Sequence, residues 1–294
     1  MLLLRTSLRR RGIMTTTTIA QDKRTQLIED GYCVFEQVLS PEMLARVRAA
    51  SDGLIAAQSA EHFEEQKSTG SMISVYDDPF FAELVAYQPA LDALASMGYP
   101  KPRWSSGFVI SKPGHSPPLF WHQDWWGWND PLSYTDLPLQ VFAMYYLVDT
   151  RIENGCLRVI SGPHRKRHRM HDVVHTAHTD ELRRATDPNH PAYHPLPEDQ
   201  AVPVRAGDLV IGDSRLLHGS YANQTDERRT VITIWYHPNF DVSSPRIQSN
   251  LSKTQTRVVD WPPQAQNLVQ RLVPTYEGDE EPLEWNRVPG PELK

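Results

Sequence analysis

The sequence predicts a mainly β protein, a sandwich or barrel with helices packed on one side. The first observation is the order along the chain: helical patterns come first, and strand-like runs separated by turn residues follow from about residue 104. The second is a content of 24 prolines, which implies many turns. The third is that no Gly/Ser-rich or charge-rich linker divides the 294 residues, so we predict one domain over residues 21–294.

Helices are predicted in the N-terminal third of the chain. Residues 23–30 have a short amphipathic pattern, and the YCVFEQVL segment after them has the residue types of a strand. Ser40 and Pro41 are typical of an N-cap and a first helical position, and apolar residues recur behind them at helical spacing. Residues 78–98 predict two further short helices.

Several later runs have the β-branched and aromatic content of strands, with Pro, Gly, Asn and Asp turns between them. They are RWSSGFVIS, LQVFAMYYLVD, CLRVIS, AVPVRAGDLVIGD and RTVITIWYH. Residues 163–200 and the tail after residue 238 show no clear periodicity, and we predict loops or short helices there.

The first 20 residues differ in composition from the rest of the chain. Arginines cluster between positions 6 and 11 and no acidic residue precedes Asp22, a composition typical of organellar targeting segments. A disordered tail before a true start at Met14 is the alternative interpretation. We therefore predict a disordered or targeting tail over residues 1–20, and a cytoplasmic protein, or an organellar one if this segment is a targeting signal.

Charge and cysteine content exclude several classes of function. The formal net charge is -6 and the basic residues form no single stripe, so no nucleic-acid partner is predicted. The apolar run at residues 2–4 is too short to span a membrane, and no membrane partner is predicted. Cys33 and Cys156 are too few for a disulfide framework and indicate a reducing compartment. The class of function that remains is an enzyme with a small-molecule substrate. The sequence leaves its oligomeric state open.

The segment FWHQDWWGWND, residues 120–130, places an imidazole and a carboxylate inside an aromatic run. If it is a strand or a strand end, His122 and Asp124 share one face, because side chains alternate along a strand. His218, after the strand that ends near Asp213, is the best candidate for a third ligand. Two imidazoles and one carboxylate form the facial triad that leaves positions open on Fe(II) for a bidentate cosubstrate and dioxygen.

A keto-acid cosubstrate on such a metal needs a cation for its far carboxylate. A guanidinium suits this task, because its planar fork binds a carboxylate through two parallel hydrogen bonds. Arg229 stands at the start of the strand-like run RTVITIWYH, and Ser220 lies shortly after His218. Arg228 should face the other side of the strand, and alternation alone leaves open which of the two arginines faces inward.

These features together resemble the phytanoyl-CoA dioxygenase family of Fe(II)/2-oxoglutarate-dependent oxygenases. The matching segments run in the family's order from about residue 25 to 237. They are GYCVFEQVLSPEMLARV, VISKPG, HQD at 122–124, ENGCLRVISGPH at 153–164, GDLVIGD, and LHGSYANQTDERR ending on Arg229. Two departures, an SGPH order in place of PGSH and a denser aromatic run after HQD, lie where substrate would be and bear on the substrate more than on the chemistry.

The resemblance implies a double-stranded β-helix, a cupin-like jelly roll. It implies catalytic iron at His122, Asp124 and His218, with 2-oxoglutarate held by Arg229 and Ser220 and dioxygen as the other cosubstrate. The implied reaction hydroxylates a small molecule and decarboxylates 2-oxoglutarate to succinate and CO2. The carboxylate at Asp124 favours hydroxylation or another oxidation over halogenation, because related halogenating enzymes leave that position empty. The alternatives are a metal-dependent hydrolase with the same ligands and a non-catalytic jelly-roll binding protein.

Two further groups of residues have more than one interpretation. Trp125, Trp126 and Trp128 are either core residues or part of the cavity wall, and we name Trp125 and Trp126 as candidate substrate contacts. The segment PHRKRHRMHDVVHTAH spaces its histidines as on one helical face, which raises a rival metal site. A solvated segment over the active-site mouth is the favoured interpretation for them. The histidines are His164, His168, His171, His175 and His178.

Overall fold

The structure, a computed structural model, describes residues 16–254 and 256–294. Its strands are β1 (Tyr32–Phe35), β2 (Ile73–Ser74), β3 (Arg103–Lys112), β4 (Leu119–His122), β5 (Val141–Tyr146), β6 (Leu157–Val159), β7 (Gln200–Val202), β8 (Leu209–Asp213), β9 (His218–Ser220) and β10 (Arg229–His237). Its α-helices are α1 (Thr16–Glu29), α2 (Pro41–Ala56), α3 (Ala60–Glu65), α4 (Phe81–Val85), α5 (Gln88–Ser96), α6 (Met170–Val173), α7 (Asp180–Arg184), α8 (Pro245–Thr254) and α9 (Pro263–Val269).

The strands form two antiparallel sheets. The larger has the order β1-β8-β5-β10-β3-β2, and the smaller has the order β4-β9-β6-β7. Apolar side chains of both sheets meet in one cluster, among them Phe142 from β5, Val159 from β6 and Val231 from β10. Two packed antiparallel sheets with flanking helices confirm the prediction of a mainly β jelly roll.

Strand β10 shows how the larger sheet contributes to two cores. It pairs with β3 on one side and β5 on the other, and all of its residues are buried. Ile232 and Ile234 belong to the cluster shared with the helices, whereas Val231 and Trp235 belong to the cluster between the sheets. Because a strand has a period of two residues, the same alternation turns Arg229 towards the smaller sheet.

Strand β9 lies between β4 and β6 in the smaller sheet. Its register sets His218 opposite His122 on β4 and opposite Val159 on β6. Directly opposed residues on neighbouring antiparallel strands are the closest side-chain neighbours that a sheet offers. Backbone pairing therefore brings together two histidines that lie far apart in the chain.

Most elements predicted for the N-terminal third are confirmed. Ser40 Oγ caps α2 by accepting a hydrogen bond from the Met43 N–H at 3.1 Å, and α4 and α5 are the two short helices predicted there. The strand after α1 is shorter than predicted and ends at Phe35. The chain turns after β1 because Gln37 takes a left-handed conformation with φ of 50°, and the Gln37 N–H donates to Asp208 Oδ1 at 2.8 Å.

The histidine-rich segment does not form one helical face. Its α-helix is only Met170–Val173, and its histidines have separate partners. His164 Nε2 lies 2.9 Å from a backbone carbonyl of α1, and His168 Nε2 lies 2.8 Å from Glu198 Oε1. Within the described residues these histidines do not form a metal site of their own, and His178 alone joins the site described below.

The predicted N-terminal tail falls mostly on residues 1–15, which lie outside the described part of the chain. Helix α1 begins at Thr16. In the residues that the structure describes, no helix has the length and apolar character needed to cross a membrane. Cys33 and Cys156 are both free and buried. The domain boundary at residue 21 and the cytoplasmic location stay predictions.

Candidate active site

A cavity of about 470 Å³ lies between the two sheets. Its walls come from β3, β5 and β10 of the larger sheet and from β4, β6 and β9 of the smaller sheet. The loop after β4, the segment around His178 and the C-terminal segment around Trp285 complete it. The predicted site residues that line this cavity are His122, Asp124, Trp126, His218, Ser220 and Arg229.

The His122 and His218 rings meet across the β4–β9 pair, with their centroids 4.1 Å apart. The Nδ1 atom of each ring lies 3.0 Å from a backbone carbonyl, that of Phe120 for His122 and that of Leu216 for His218. A ring that donates from Nδ1 to a carbonyl keeps its Nε2 lone pair for another partner. Both Nε2 atoms therefore face the cavity as donors to a metal.

A tertiary contact sets the position of Asp124. Strand β4 ends at His122, and the Asp124 N–H beyond it donates to Ser214 O at 2.8 Å. Ser214 lies in the turn after β8, where the buried Asp213 carboxylate and Arg215 guanidinium pair at 2.7 Å. We predicted that His122 and Asp124 point the same way because side chains alternate along a strand. In the structure, the contact with this turn positions Asp124 instead.

The Asp124 carboxylate lies between the two histidines. Its Oδ1 is 3.6 Å from His122 Nε2, and its Oδ2 is 3.7 Å from His218 Nε2. Trp235 on β10 donates from Nε1 to Asp124 Oδ2 at 2.9 Å. This hydrogen bond fixes the carboxylate plane from the opposite sheet.

The donor set fits a divalent transition metal. Burial lowers the pKa of His122 well below its usual value, so this imidazole is neutral near pH 7 and can bind a cation. His122 Nε2 and His218 Nε2 each lie within 4 Å of an Asp124 carboxylate oxygen, and two imidazoles with one carboxylate are a donor set that Fe(II) accepts.

A third histidine that the sequence did not single out also reaches this site. The ligand atoms of His122, Asp124 and His178 lie within 4.8 Å of one another. His178 stands in a left-handed loop conformation with φ of 71°, and its Nε2 has no hydrogen-bond partner among the described residues. Burial, and then the charge of Arg287, lowers the pKa of His178 to about 4. Its spacing in the histidine-rich segment carried no signal that set it apart.

Arg229 and Ser220 line the same cavity from different sheets. Arg229 is 4% exposed, and burial lowers the pKa of its guanidinium. Among the described residues, neither Arg229 Nε nor Ser220 Oγ has a hydrogen-bond partner. Buried polar groups are rarely left unpaired, so this pair of donors fits an anionic ligand such as a carboxylate. Arg228 is directed elsewhere: it donates to Ser111 O at 3.0 Å and lies over the Phe63 ring.

The three tryptophans after Asp124 divide between core and cavity. Trp126 lines the cavity and stacks on Trp285 with centroids 5.5 Å apart. Trp125 does not line it; its Nε1 donates to Ser133 Oγ at 2.9 Å, and its ring is fully buried. Trp128 packs on Tyr134 away from the cavity. The hypothesis of a substrate contact therefore keeps Trp126 and drops Trp125.

Two residues near the end of the chain, not predicted from the sequence, also belong to the site. Arg287 and Trp285 line the cavity, although the tail after residue 238 was predicted only as loops or short helices. Gln123, between two predicted ligands, donates from Nε2 to Arg287 O at 2.7 Å and ties this segment to the loop after β4. No local pattern predicts a contact between residues so far apart in the chain.

The chain matches known proteins by sequence. The family model described as phytanoyl-CoA dioxygenase (PhyH) matches residues 27–231. Phytanoyl-CoA dioxygenase 1 of Oryza sativa subsp. japonica is 28% identical over 162 residues, which are 53% of this chain and 52% of the rice protein. The chain thus matches about half the length of that relative.

Solved structures share the fold. The non-heme alpha ketoglutarate dependent carbocyclase SnoK from nogalamycin biosynthesis has 24% identity and a TM-score of 0.56, with 76% of this chain and 86% of that chain covered. HygX from Streptomyces hygroscopicus, solved with nickel and 2-oxoglutarate bound, has 18% identity and a TM-score of 0.55, with 75% and 87% covered. At these identities the likeness establishes the architecture alone. Because the family model spans more than half of its length, the chain belongs to the phytanoyl-CoA dioxygenase family.

Proposed function

We propose that this protein is a non-haem Fe(II)/2-oxoglutarate-dependent dioxygenase that hydroxylates a small molecule. His122, Asp124 and His218 would hold the iron, and Arg229 and Ser220 would bind 2-oxoglutarate. The observation that carries this proposal is the meeting, in one cavity, of a two-histidine, one-carboxylate donor set with a buried arginine whose Nε has no acceptor among the described residues. Family membership supports it, and so does the 2-oxoglutarate bound to HygX.

His218 is preferred over His178 as the second histidine ligand because of how each ring is supported. His218 lies on β9, which is paired on both sides, and its Nδ1 is engaged by a backbone carbonyl. His178 is carried by a loop residue with positive φ. A metal ligand on a rigid strand keeps its geometry better than one on a loop.

Each residue group has a separate task in this reaction. When bound, iron and 2-oxoglutarate supply the oxidising chemistry, with 2-oxoglutarate converted to succinate and CO2. Arg229 binds and orients the far carboxylate of 2-oxoglutarate, and Ser220 adds a hydroxyl donor. Trp235 orients the Asp124 carboxylate, and the apolar wall that includes Trp126 excludes water from the reacting atoms.

Anaerobic titration of the purified protein with Fe(II) and then 2-oxoglutarate tests the proposal. We expect the weak visible metal-to-ligand charge-transfer band of a chelated keto acid to appear on addition of 2-oxoglutarate. Oxygen should then release succinate. Iron-loaded, folded protein without this band would contradict the proposal and favour a hydrolase or a binding protein with the same ligands.

Replacing Trp235 with phenylalanine will weaken metal binding by roughly 10- to 100-fold, the usual effect of removing a hydrogen bond to a metal ligand. The substitution keeps an aromatic ring between the sheets and removes only the Nε1–H that holds Asp124 Oδ2. Titration calorimetry with Mn(II) measures the change. Trp128→Phe is the matched control, because Trp128 Nε1 has no hydrogen-bond partner among the described residues. Equal affinities in the two variants would refute a positioning role for Trp235.

A further inference from the structure

The cavity contains a cation that the proposed function does not use. The arginines that line it are Arg183, Arg229 and Arg287. Arg183 pairs with Asp180 in α7, and Arg229 is assigned to 2-oxoglutarate. The Arg287 guanidinium has neither an ion pair nor a hydrogen-bond partner within residues 16–254 and 256–294. Arg287 is partly exposed to the cavity, and burial lowers the pKa of its guanidinium. A partly buried guanidinium without a partner in the protein is suited to bind an anionic ligand.

The position of Arg287 is coupled to the metal motif. Gln123 Nε2 donates to Arg287 O at 2.7 Å. The next contact along the segment is from Asn286 N–H to Trp126 O at 2.7 Å, and Trp128 N–H donates back to Asn286 O at 3.2 Å. The segment that carries Arg287 is therefore tied to the loop after β4 at three points. This fixes a cation beside the metal ligands, although it comes from the end of the chain.

Arg287 and Arg229 act on different parts of the cavity. The charge of Arg287 acts on Asp124 and lowers the pKa of both His122 and His178, behind burial as the main cause. The groups that act on Arg229 are Tyr146 and Cys156. Arg287 is carried by a segment that is hydrogen-bonded to the loop of Asp124, whereas Arg229 is carried by the first residue of β10.

The charges of the loaded site leave Arg287 uncompensated. The positive charge of a divalent metal equals the negative charge of the dianion 2-oxoglutarate. The formal charges of Asp124 and Arg229 also sum to zero. Asp124 is the carboxylate whose charge acts on Arg287, but a bound metal would take that charge. A substrate with one negative group would complete the balance.

The surroundings of Arg287 also indicate an apolar ligand body. The Arg287 guanidinium carbon lies 5.3 Å from the centre of the Trp285 ring, and Trp285 stacks on Trp126 at an interplanar angle of 18°. Met72, Phe108 and Ile110 contribute further apolar wall. The cavity volume of about 470 Å³ lies in the range of pockets that bury one drug-sized ligand, about 300 to 1,000 Å³. Beside 2-oxoglutarate, it has room for a compact molecule.

We propose that Arg287 binds an anionic group of the substrate, a carboxylate or a phosphate, while the apolar part of the substrate packs against Trp126 and Trp285. The proposal rests on the proposed function, since it assumes that Arg229 is occupied by 2-oxoglutarate. It assigns the substrate to compact molecules that carry one anionic group on an apolar body.

Matched acid and neutral probes test this in the full-length protein. Under anaerobic conditions, protein saturated with Fe(II) and 2-oxoglutarate is titrated with 3-phenylpropanoate or 3-phenylpropanamide, and with phenyl phosphate or phenol. Tryptophan fluorescence, reported by the stacked Trp126 and Trp285, gives each dissociation constant. We expect one acid to bind at least about tenfold more tightly than its neutral partner, the usual gain from a charge-assisted hydrogen bond. The acid that shows this preference identifies the group as carboxylate or phosphate.

The variants locate the preference. Arg287→Met should remove it, and Arg287→Lys should keep part of it, since the charge remains and the planar fork is lost. Arg183→Met, which changes another arginine of the same cavity, should keep all of it. The proposal is overturned if neither acid binds more tightly than its neutral partner in the wild type, or if Arg287→Met retains the preference.

The charge-transfer band recorded in the same samples separates the two proposals. It should appear in wild type and in Arg287→Met and persist when the acid is added, which shows that 2-oxoglutarate has not been displaced. A band without an acid preference would refute the anion site alone. An Arg287-dependent acid preference without a band would refute the dioxygenase proposal and leave the anion site standing.

Discussion

His218→Ala will abolish turnover and lower metal affinity by more than about 100-fold, beyond the range that loss of a single outer hydrogen bond produces. His218 is 2% exposed, and its Nε2 lies 3.7 Å from Asp124 Oδ2. A water molecule can replace the lost imidazole nitrogen as a metal ligand only if neighbouring groups rearrange. The fold should persist, because β9 pairs with β4 and β6 through backbone groups. The lost bond to Leu216 O should cost about 1 to 3 kcal/mol of stability. Mn(II) calorimetry, succinate release and thermal unfolding measure the three effects.

His178→Gly is the matched control for this prediction. It removes an imidazole from the same cavity, and glycine accepts the positive φ at this position at no steric cost. We expect metal affinity and the charge-transfer band to remain close to those of the wild type. The reverse pattern, metal loss in His178→Gly and retention in His218→Ala, would transfer the second histidine ligand to His178.

Arg229→Ala will raise the concentration of 2-oxoglutarate needed for half-saturation by roughly 30-fold or more. Removing one partner of a desolvated, hydrogen-bonded charge pair costs about 2 to 5 kcal/mol, and each 1.4 kcal/mol is a factor of about ten. Arg229 has no contact with the metal-binding carboxylate in the described chain, so Mn(II) affinity without 2-oxoglutarate should stay unchanged. The appearance of the charge-transfer band against 2-oxoglutarate concentration measures the shift.

Arg228→Ala serves as the control for the arginine prediction. Arg228 is the chain neighbour of Arg229, but its guanidinium donates to Ser111 O and lies over Phe63 outside the cavity. Its removal should leave the 2-oxoglutarate requirement as it is. If Arg229→Ala behaves like the wild type and Arg228→Ala does not, the cosubstrate assignment moves to Arg228.

Local periodicity and neighbouring residues were enough to predict some features of the fold. Strand content and the Ser40 cap of α2 are of this kind, and the structure confirms them. The jelly roll was implied by the family resemblance, and the two packed sheets confirm it. The direction of the Arg229 side chain is also predicted in part by local periodicity. Once β10 is known to be a strand, its two-residue period requires Arg228 and Arg229 to point in opposite directions. Alternation did not say which of them faces the cavity, because that depends on where the second sheet lies.

Which residues meet at the site depends on the tertiary structure. Asp124 lies beyond the end of β4, and its position depends on Ser214 from the turn after β8. Trp235 reaches its carboxylate from the opposite sheet, and Arg287 reaches the cavity from the end of the chain. These contacts join residues separated by long stretches of sequence. Propensity and periodicity act over a few residues, whereas the packing of two sheets and the docking of a C-terminal segment are set by the whole core, so no local pattern could have predicted them.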